Sequence, residues 1–246
     1  MGVDLALFSA KGSPGTTTLA EALVIFASRV GPALLVEFDP DGGDRAASVG
    51  LAFDPGVASL AASTRHQPIS SDDVISHLQP LRAGGHVLVA PASAEKAYGA
   101  MDSVVDRLGP ALARMQGWST VADCGRMRSR SPALELAAHA HQVAIVCRPT
   151  LEGIEHTRDR LVALRELAPR VGVVLVGHGR FTATRIKEAL GVPILGVVAD
   201  DPRGAELVRS GEGASRAGRR TALMRSVEPL VDAVVPRPSV PVGVRV

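Results

Sequence analysis

Short, unbroken apolar runs alternate with helix-patterned segments along this chain, and that alternation leaves few folds open. The runs are Val3–Phe8, Ala33–Phe38, His86–Ala90, Trp118–Ala122, Val143–Cys147, Val171–Val176 and Pro193–Val198. Most are continuous rather than polar–apolar alternating, the pattern of strands buried on both faces of a parallel sheet. Between them, Leu19–Val30, Met101–Met115, Ile154–Leu167 and Phe181–Leu190 carry apolar residues at helical spacing, with Gly109-Pro110 expected to interrupt the second. Strand–helix alternation predicts a doubly wound α/β fold: a mostly parallel sheet with helices on both faces. Right-handed crossovers bring the loops after the strands to one edge of that sheet, where ligands usually bind.

The first such loop reads Lys11-Gly12-Ser13-Pro14-Gly15-Thr16-Thr17-Thr18. A strand, a Gly-containing turn, hydroxyl residues and a helix form a phosphate cradle, because backbone N–H groups of the turn and of the helix start point at an anion. The common phosphate loop is G-x-x-x-x-G-K followed by Ser or Thr. Here Ala10 stands at the first Gly, Thr16 stands at the Lys, and the lysine present, Lys11, lies near the start of the loop.

The displaced lysine makes the segment resemble the deviant phosphate loop of the MinD/ParA ATPases, K-G-G-x-G-K-S/T, with Ser13-Pro14 replacing the usual Gly-x pair. The resemblance runs over roughly Met1 to Val235 and implies the P-loop NTPase fold. It also implies ATP and Mg²⁺ as ligands, Lys11 reaching a partner subunit's nucleotide, and Thr17 as the Mg²⁺-binding hydroxyl. The nucleotide-binding stretch is then Lys11, Gly12, Ser13, Pro14, Gly15, Thr16, Thr17 and Thr18. Loss of the lysine at position 16 is also similar to the CpaE/TadZ pilus-assembly branch. A charge-assisted phosphate contact is worth roughly 1.5–3 kcal/mol, so its loss predicts roughly 10- to 100-fold weaker nucleotide binding.

Two acidic motifs follow. Glu37-Phe38-Asp39-Pro40-Asp41-Gly42 resembles the family's D-x-D-P-x-G segment, which makes Asp39 the candidate catalytic residue that positions water, with Lys11 as its catalytic partner across the dimer. The same residues also suit a plain Asp-Pro-Asp-Gly turn whose acids hydrate the loop. Trp118–Ala122 leads into Asp123-Cys124-Gly125-Arg126, which resembles the second acidic motif. There Asp123 would bind Mg²⁺ through water and Gly125 would sense the γ-phosphate. Arg126, Arg128 and Arg130 suit either a phosphate contact or a solvated loop. Further on, His178 falls where family members carry an adenine-reading Asn, leaving base selectivity open. Pro193–Pro202 resembles the strand and loop that flank the base.

Composition narrows the classes. A hydrophobic content of 46% with 21% charged residues fits a globular protein, and 3% aromatics argue against base stacking as a main mechanism. A formal charge of +2 does not mark a nucleic-acid binder. Cys124 and Cys147 read as buried thiols of a reducing compartment, so a cytoplasmic protein is expected. His139 and His141 lack metal-site spacing, and no G-x-S-x-G elbow is present.

Residues 1–235 are expected to form one domain, with residues 50–85 a helical insertion and residues 236–246 a Pro-rich tail. Thr221–Val235 reads as a last helix, kinked or restarted at Pro229. Arg203, Arg209, Arg216, Arg219, Arg220 and Arg225 suit non-specific DNA binding by phosphate neutralisation, and equally an ordinary surface. No membrane-anchoring amphipathic pattern is found in the tail. The predicted function is an ATP-dependent dimerising switch of MinD/ParA type that positions DNA, pilus or division machinery with slow hydrolysis, working as a homodimer with a protein partner. The competing class is a scaffold that kept the fold and lost nucleotide hydrolysis. A small-molecule kinase of the same superfold lacks any acceptor motif here.

Overall fold

The continuous apolar runs all enter one sheet. The computed structural model describes residues 2–11 and 14–234. Gly12 and Ser13 of the loop, and the Pro-rich tail, lie outside the described residues. In chain order the elements are β1 (Val3–Ser9), α1 (Thr16–Ala27), β2 (Ala33–Glu37), α2 (Arg45–Val49), α3 (Val57–Ser63), α4 (Ser71–Ser76), β3 (Gln79–Pro80), β4 (His86–Leu88), α5 (Ala94–Ala113) and β5 (Ser119–Arg126). They continue with α6 (Pro132–Ala138), β6 (Ala140–Cys147), α7 (Leu151–Leu167), β7 (Val171–Val176), α8 (Ala183–Leu190), β8 (Ile194–Val198), α9 (Pro202–Arg209), α10 (Arg216–Arg219) and α11 (Ala222–Val234).

The eight strands run in the order β3-β4-β2-β5-β1-β6-β7-β8, and every pairing is parallel except β3 with β4. This is the expected doubly wound α/β sheet. Its strands are buried on both faces because alternate residues feed two cores. On one face Leu5, Leu7 and Leu35 pack under α1, α9 and α11 through Leu19, Leu23, Val208, Met224 and Leu230. On the other, Phe8, Val36, Phe38 and Ile145 pack with Leu60, Met101, Leu108 and Leu136 of α3, α5 and α6.

Residues 50–85 hold two short helices, α3 and α4, and the antiparallel edge strand β3. At α4 the Ser70 side chain accepts from the Asp73 N–H while the Asp73 carboxylate accepts from the Ser70 N–H, a reciprocal capping box.

The expected interruption at Gly109-Pro110 does not occur, and the last helix does not restart at Pro229. Helix α5 runs through Gly109-Pro110 and α11 through Pro229. Each proline deprives the residue four positions back of an N–H donor. Those residues, Asp106 and Arg225, are exposed, so water can take the freed carbonyls. Meanwhile Val104, Val105, Leu108 and Leu112 of α5, and Met224, Val227 and Leu230 of α11, stay buried in the two cores.

Candidate functional site

The turn from β1 into α1 is set by Gly15, whose φ of +97° lies in the left-handed region. Gly15 is also the N-cap position of α1 and brings no side chain to cap it. The other long helices differ: Ser93, Thr150, Thr182 and Asp201 each accept from the first turn of α5, α7, α8 and α9. An uncapped helix start carries partial positive charge and free N–H donors. Beside it the Thr16 hydroxyl is buried and has no hydrogen-bond partner, an arrangement that costs about 1–3 kcal/mol until an acceptor or donor arrives. Thr16, Thr17 and Thr18 line a cleft of about 430 Å³ together with Asp39, Arg45 and Gly125.

Asp123 is buried near this cleft, two residues before Gly125. Register places it beside Leu7 of β1 and Glu37 of β2, and it is 2% exposed. Its carboxyl accepts from the Gly125 N–H at 3.2 Å, and the Thr17 hydroxyl lies near enough to favour its charged form. Burial pushes the carboxyl up to about 7 against those two groups, and the Asp39 and Glu37 charges push the same way as burial. A carboxyl so placed gains strongly from a cation.

The two acids after β2 have different roles. Glu37 accepts from the Asp44 and Arg45 N–H groups through Oε1 at 2.7 and 2.9 Å, and from the Ala90 N–H through Oε2 at 2.9 Å. Its oxygens fasten the loop after β2 to that after β4. Asp39 instead faces the cleft and lies flush on the backbone of Gly125, where an added Cβ would stand 1.9 Å from the Asp39 Cγ. It accepts from the Asp41 N–H at 2.9 Å. Burial holds its carboxyl above the ordinary value, opposed by that N–H. Asp41 pairs with Arg128 at 2.7 Å, tying the loops after β2 and β5 together. Of the neighbouring arginines, Arg126 borders the cleft and Arg130 is exposed.

Lys11 is exposed and lines a different cleft, of about 310 Å³, with Pro14, Arg148, Glu152 and His156. A third cavity of about 250 Å³ runs from Pro14, Gly15 and Thr18 to Arg148, Asp200 and Asp201. There Arg148 and Asp200 form an ion pair across the opening, which holds the Asp200 carboxyl below its usual range. His178 is exposed and is not among the residues lining this cavity.

Sequence reasoning missed the Glu21–Arg45 pair. Glu21 of α1 and Arg45 of α2 meet at 2.8 Å with side chains 1% and 2% exposed. The contact is charge against charge rather than an aligned hydrogen bond, since both Glu21 oxygens and the Arg45 Nε lack hydrogen-bond partners. Arg45 Nη2 also donates to the Arg209 carbonyl at 3.2 Å. Burial pushes the Glu21 carboxyl up to about 7 against the Arg45 charge, with Glu37 adding to the rise. A signal existed: Glu21 is the lone charge in Leu19–Ala27, and a charge on a helix buried all round needs a partner.

Among the described residues no three His, Cys, Asp or Glu side chains converge to hold a metal ion. Cys124 and Cys147 are buried free thiols, and no described helix is long and apolar enough to cross a membrane.

The sequence matches no protein-family model and no curated protein. Solved structures do match the fold. A ParA family ATPase from Chlorobium tepidum TLS aligns with a TM-score of 0.77 at 18% identity, covering 92% of this chain and 98% of that one. The septum site-determining protein MinD from Pyrococcus horikoshii OT3, complexed with Mg-ADP, aligns at 0.75 and 17%, covering 94% of each. An ATP complex of a Cyanothece McdA variant aligns at 0.72 and 16%, covering 93% and 95%. The chain has the fold of the MinD/ParA ATPases.

Proposed function

We propose that this chain is an ATP-dependent, dimerising switch of the MinD/ParA type that positions a cellular cargo and hydrolyses ATP slowly. The observation that carries the reading is the buried Asp123 carboxyl beside the Thr17 hydroxyl at the uncapped start of α1. The orphaned Thr16 hydroxyl beside it suits a phosphate oxygen. Similar folds are known with Mg-ADP and with ATP.

In this reading the first N–H groups of α1 and the Thr16 hydroxyl bind phosphate oxygens. Thr17 and, through water, Asp123 would hold Mg²⁺, which when bound neutralises phosphate charge. That donor set fits the ion, because Mg²⁺ usually takes one or two protein ligands and completes its shell with phosphate and water. Asp39, pressed against Gly125 at the cleft, orients the attacking water. Lys11 is exposed and lines a neighbouring cleft rather than that of Thr16, which leaves it free to serve a partner subunit's nucleotide. The exposed arginines of α9 to α11 suit an anionic partner such as DNA.

A second reading, a scaffold without hydrolysis, is favoured by Thr16 in the lysine position. The two separate by mass and phosphate release in the presence of ATP and Mg²⁺. The switch doubles in mass and releases phosphate, and Lys11→Ala stays monomeric with slower release. A Lys11→Ala protein that dimerises and hydrolyses like wild type overturns the role of Lys11. A wild type that neither dimerises nor releases phosphate favours the scaffold.

A further inference from the structure

We infer that Arg45, held in place by Glu21, contacts the terminal phosphate of the nucleotide and takes over the work of the lysine missing at position 16. The inference rests on the nucleotide reading above. Arg45 and Thr16 line the same cleft, so a cation faces the position where the loop lost its own. Burying a guanidinium costs several kcal/mol unless it is paired, and Arg45 is 2% exposed. Its pairing is incomplete: Glu21 touches it at 2.8 Å, yet the Nε donor is buried and unpartnered. Where Arg45 lines the cleft, its forked guanidinium suits a phosphate oxygen.

Glu21 ties this cation to the cradle itself. Thr17 and Glu21 are four apart on α1 and share a face, so Glu21 lies one turn below the helix start. Thus Arg45 of α2 is anchored to the helix whose N-terminus receives the phosphates. Two other arginines border the cleft, but Arg126 is exposed and Arg209 pairs with Glu206 at the surface. A solvated charge is screened, whereas a fixed one in a dry site acts at full strength. The Glu21 carboxyl, pushed up to about 7 by burial, readily takes a proton near neutrality and leaves the Arg45 charge free for an anion. Glu21 is thereby a positioning residue and Arg45 a phosphate contact.

The test compares Mg-ATP and Mg-ADP affinity by titration calorimetry for wild type and for the double variant Glu21→Leu with Arg45→Met. Removing both charges together leaves no unpaired ion and preserves volume. The double variant should bind ATP about 10- to 100-fold more weakly while binding ADP like wild type. Equal ATP affinity in the two proteins overturns the inference, as does an equal loss for ATP and ADP, which marks a structural role only. If wild type binds neither nucleotide, the nucleotide reading itself fails and Arg45 has no phosphate to contact. Should the double variant not fold, Arg45→Lys keeps the charge without the fork. The same ATP-only weakening is expected, and ATP binding equal to wild type contradicts it.

Discussion

Thr18 lines two cavities, and at the end of the first the charges of Glu21, Glu37, Arg45 and Asp123 are buried. At the other, Arg148 and Asp200 meet with side chains 48% and 46% exposed. The buried end is held by main-chain donors and by charges that have nowhere else to go. Glu37 takes three backbone N–H groups, Asp123 takes the Gly125 N–H, and Arg45 takes Glu21. Displacing any of them strands a partner in a low dielectric. The exposed end is held by one solvated ion pair, which water can replace at little cost. The proposed function assigns phosphate chemistry to the rigid end and base preference to the adjustable one.

The largest effect expected from this contrast is at Asp123. Asp123→Asn removes the charge that would hold Mg²⁺ and should weaken Mg-ATP binding about 10- to 100-fold, without lowering the melting temperature, since a buried carboxyl is lost. Unchanged affinity by calorimetry breaks the assignment of this end to phosphate.

Gly125→Ala comes next. Its φ of +61° costs an alanine about 1–2 kcal/mol, and the new Cβ falls on the Asp39 carboxyl. Thermal melts should show the loss, and phosphate release should fall as Asp39 is displaced. Wild-type melting with wild-type turnover contradicts the packing of Asp39 on β5.

The third effect is in pH. Asp123 rises from 3.8, and Glu21 from 4.5, to about 7 on folding. Between those values the folded state binds more protons than the unfolded one, so stability falls as pH rises from about 4 to 7. The melting temperature without nucleotide should therefore be higher near pH 5 than near pH 7.5, while Mg-ATP binding weakens on acidification because Asp123 must give up its proton. A melting temperature that climbs through this window contradicts the burial of both acids.

The smallest effect belongs to the exposed end. Asp200→Ala should change stability by less than about 1 kcal/mol and shift the ATP-to-GTP preference by no more than about fivefold. A loss of ATP binding as large as that of Asp123→Asn would erase the distinction between the ends.

The sheet was legible because strands such as Leu5–Phe8 and Val143–Cys147 are apolar throughout, and only a doubly covered sheet accepts them. Gly15, Thr17, Asp39 and Asp123 were legible as a loop-edge constellation; Gly15, Thr17 and Asp39 line one cleft, and Asp123 is buried two residues before Gly125. What stayed hidden depended on tertiary surroundings. Pro110 and Pro229 read as breaks because exposure of Asp106 and Arg225 cannot be seen in local pattern. The edge strand β3 is two residues, Gln79–Pro80, shorter than any periodicity. Glu21 announced the need for a cation, but the distant Arg45 is selected by how α2 lies against α1. Glu37 and Asp39 look alike in sequence, and only their hydrogen-bond partners separate a loop fastener from a cleft acid.

The most direct measurement is titration of Mg-ATP into the intact wild-type protein, with molar mass followed by light scattering in the same samples. A phosphate-binding buried end predicts saturable binding with a Kd below about 1 mM and a doubling of mass. A folded protein that gives no heat at millimolar ATP and keeps its mass would contradict it.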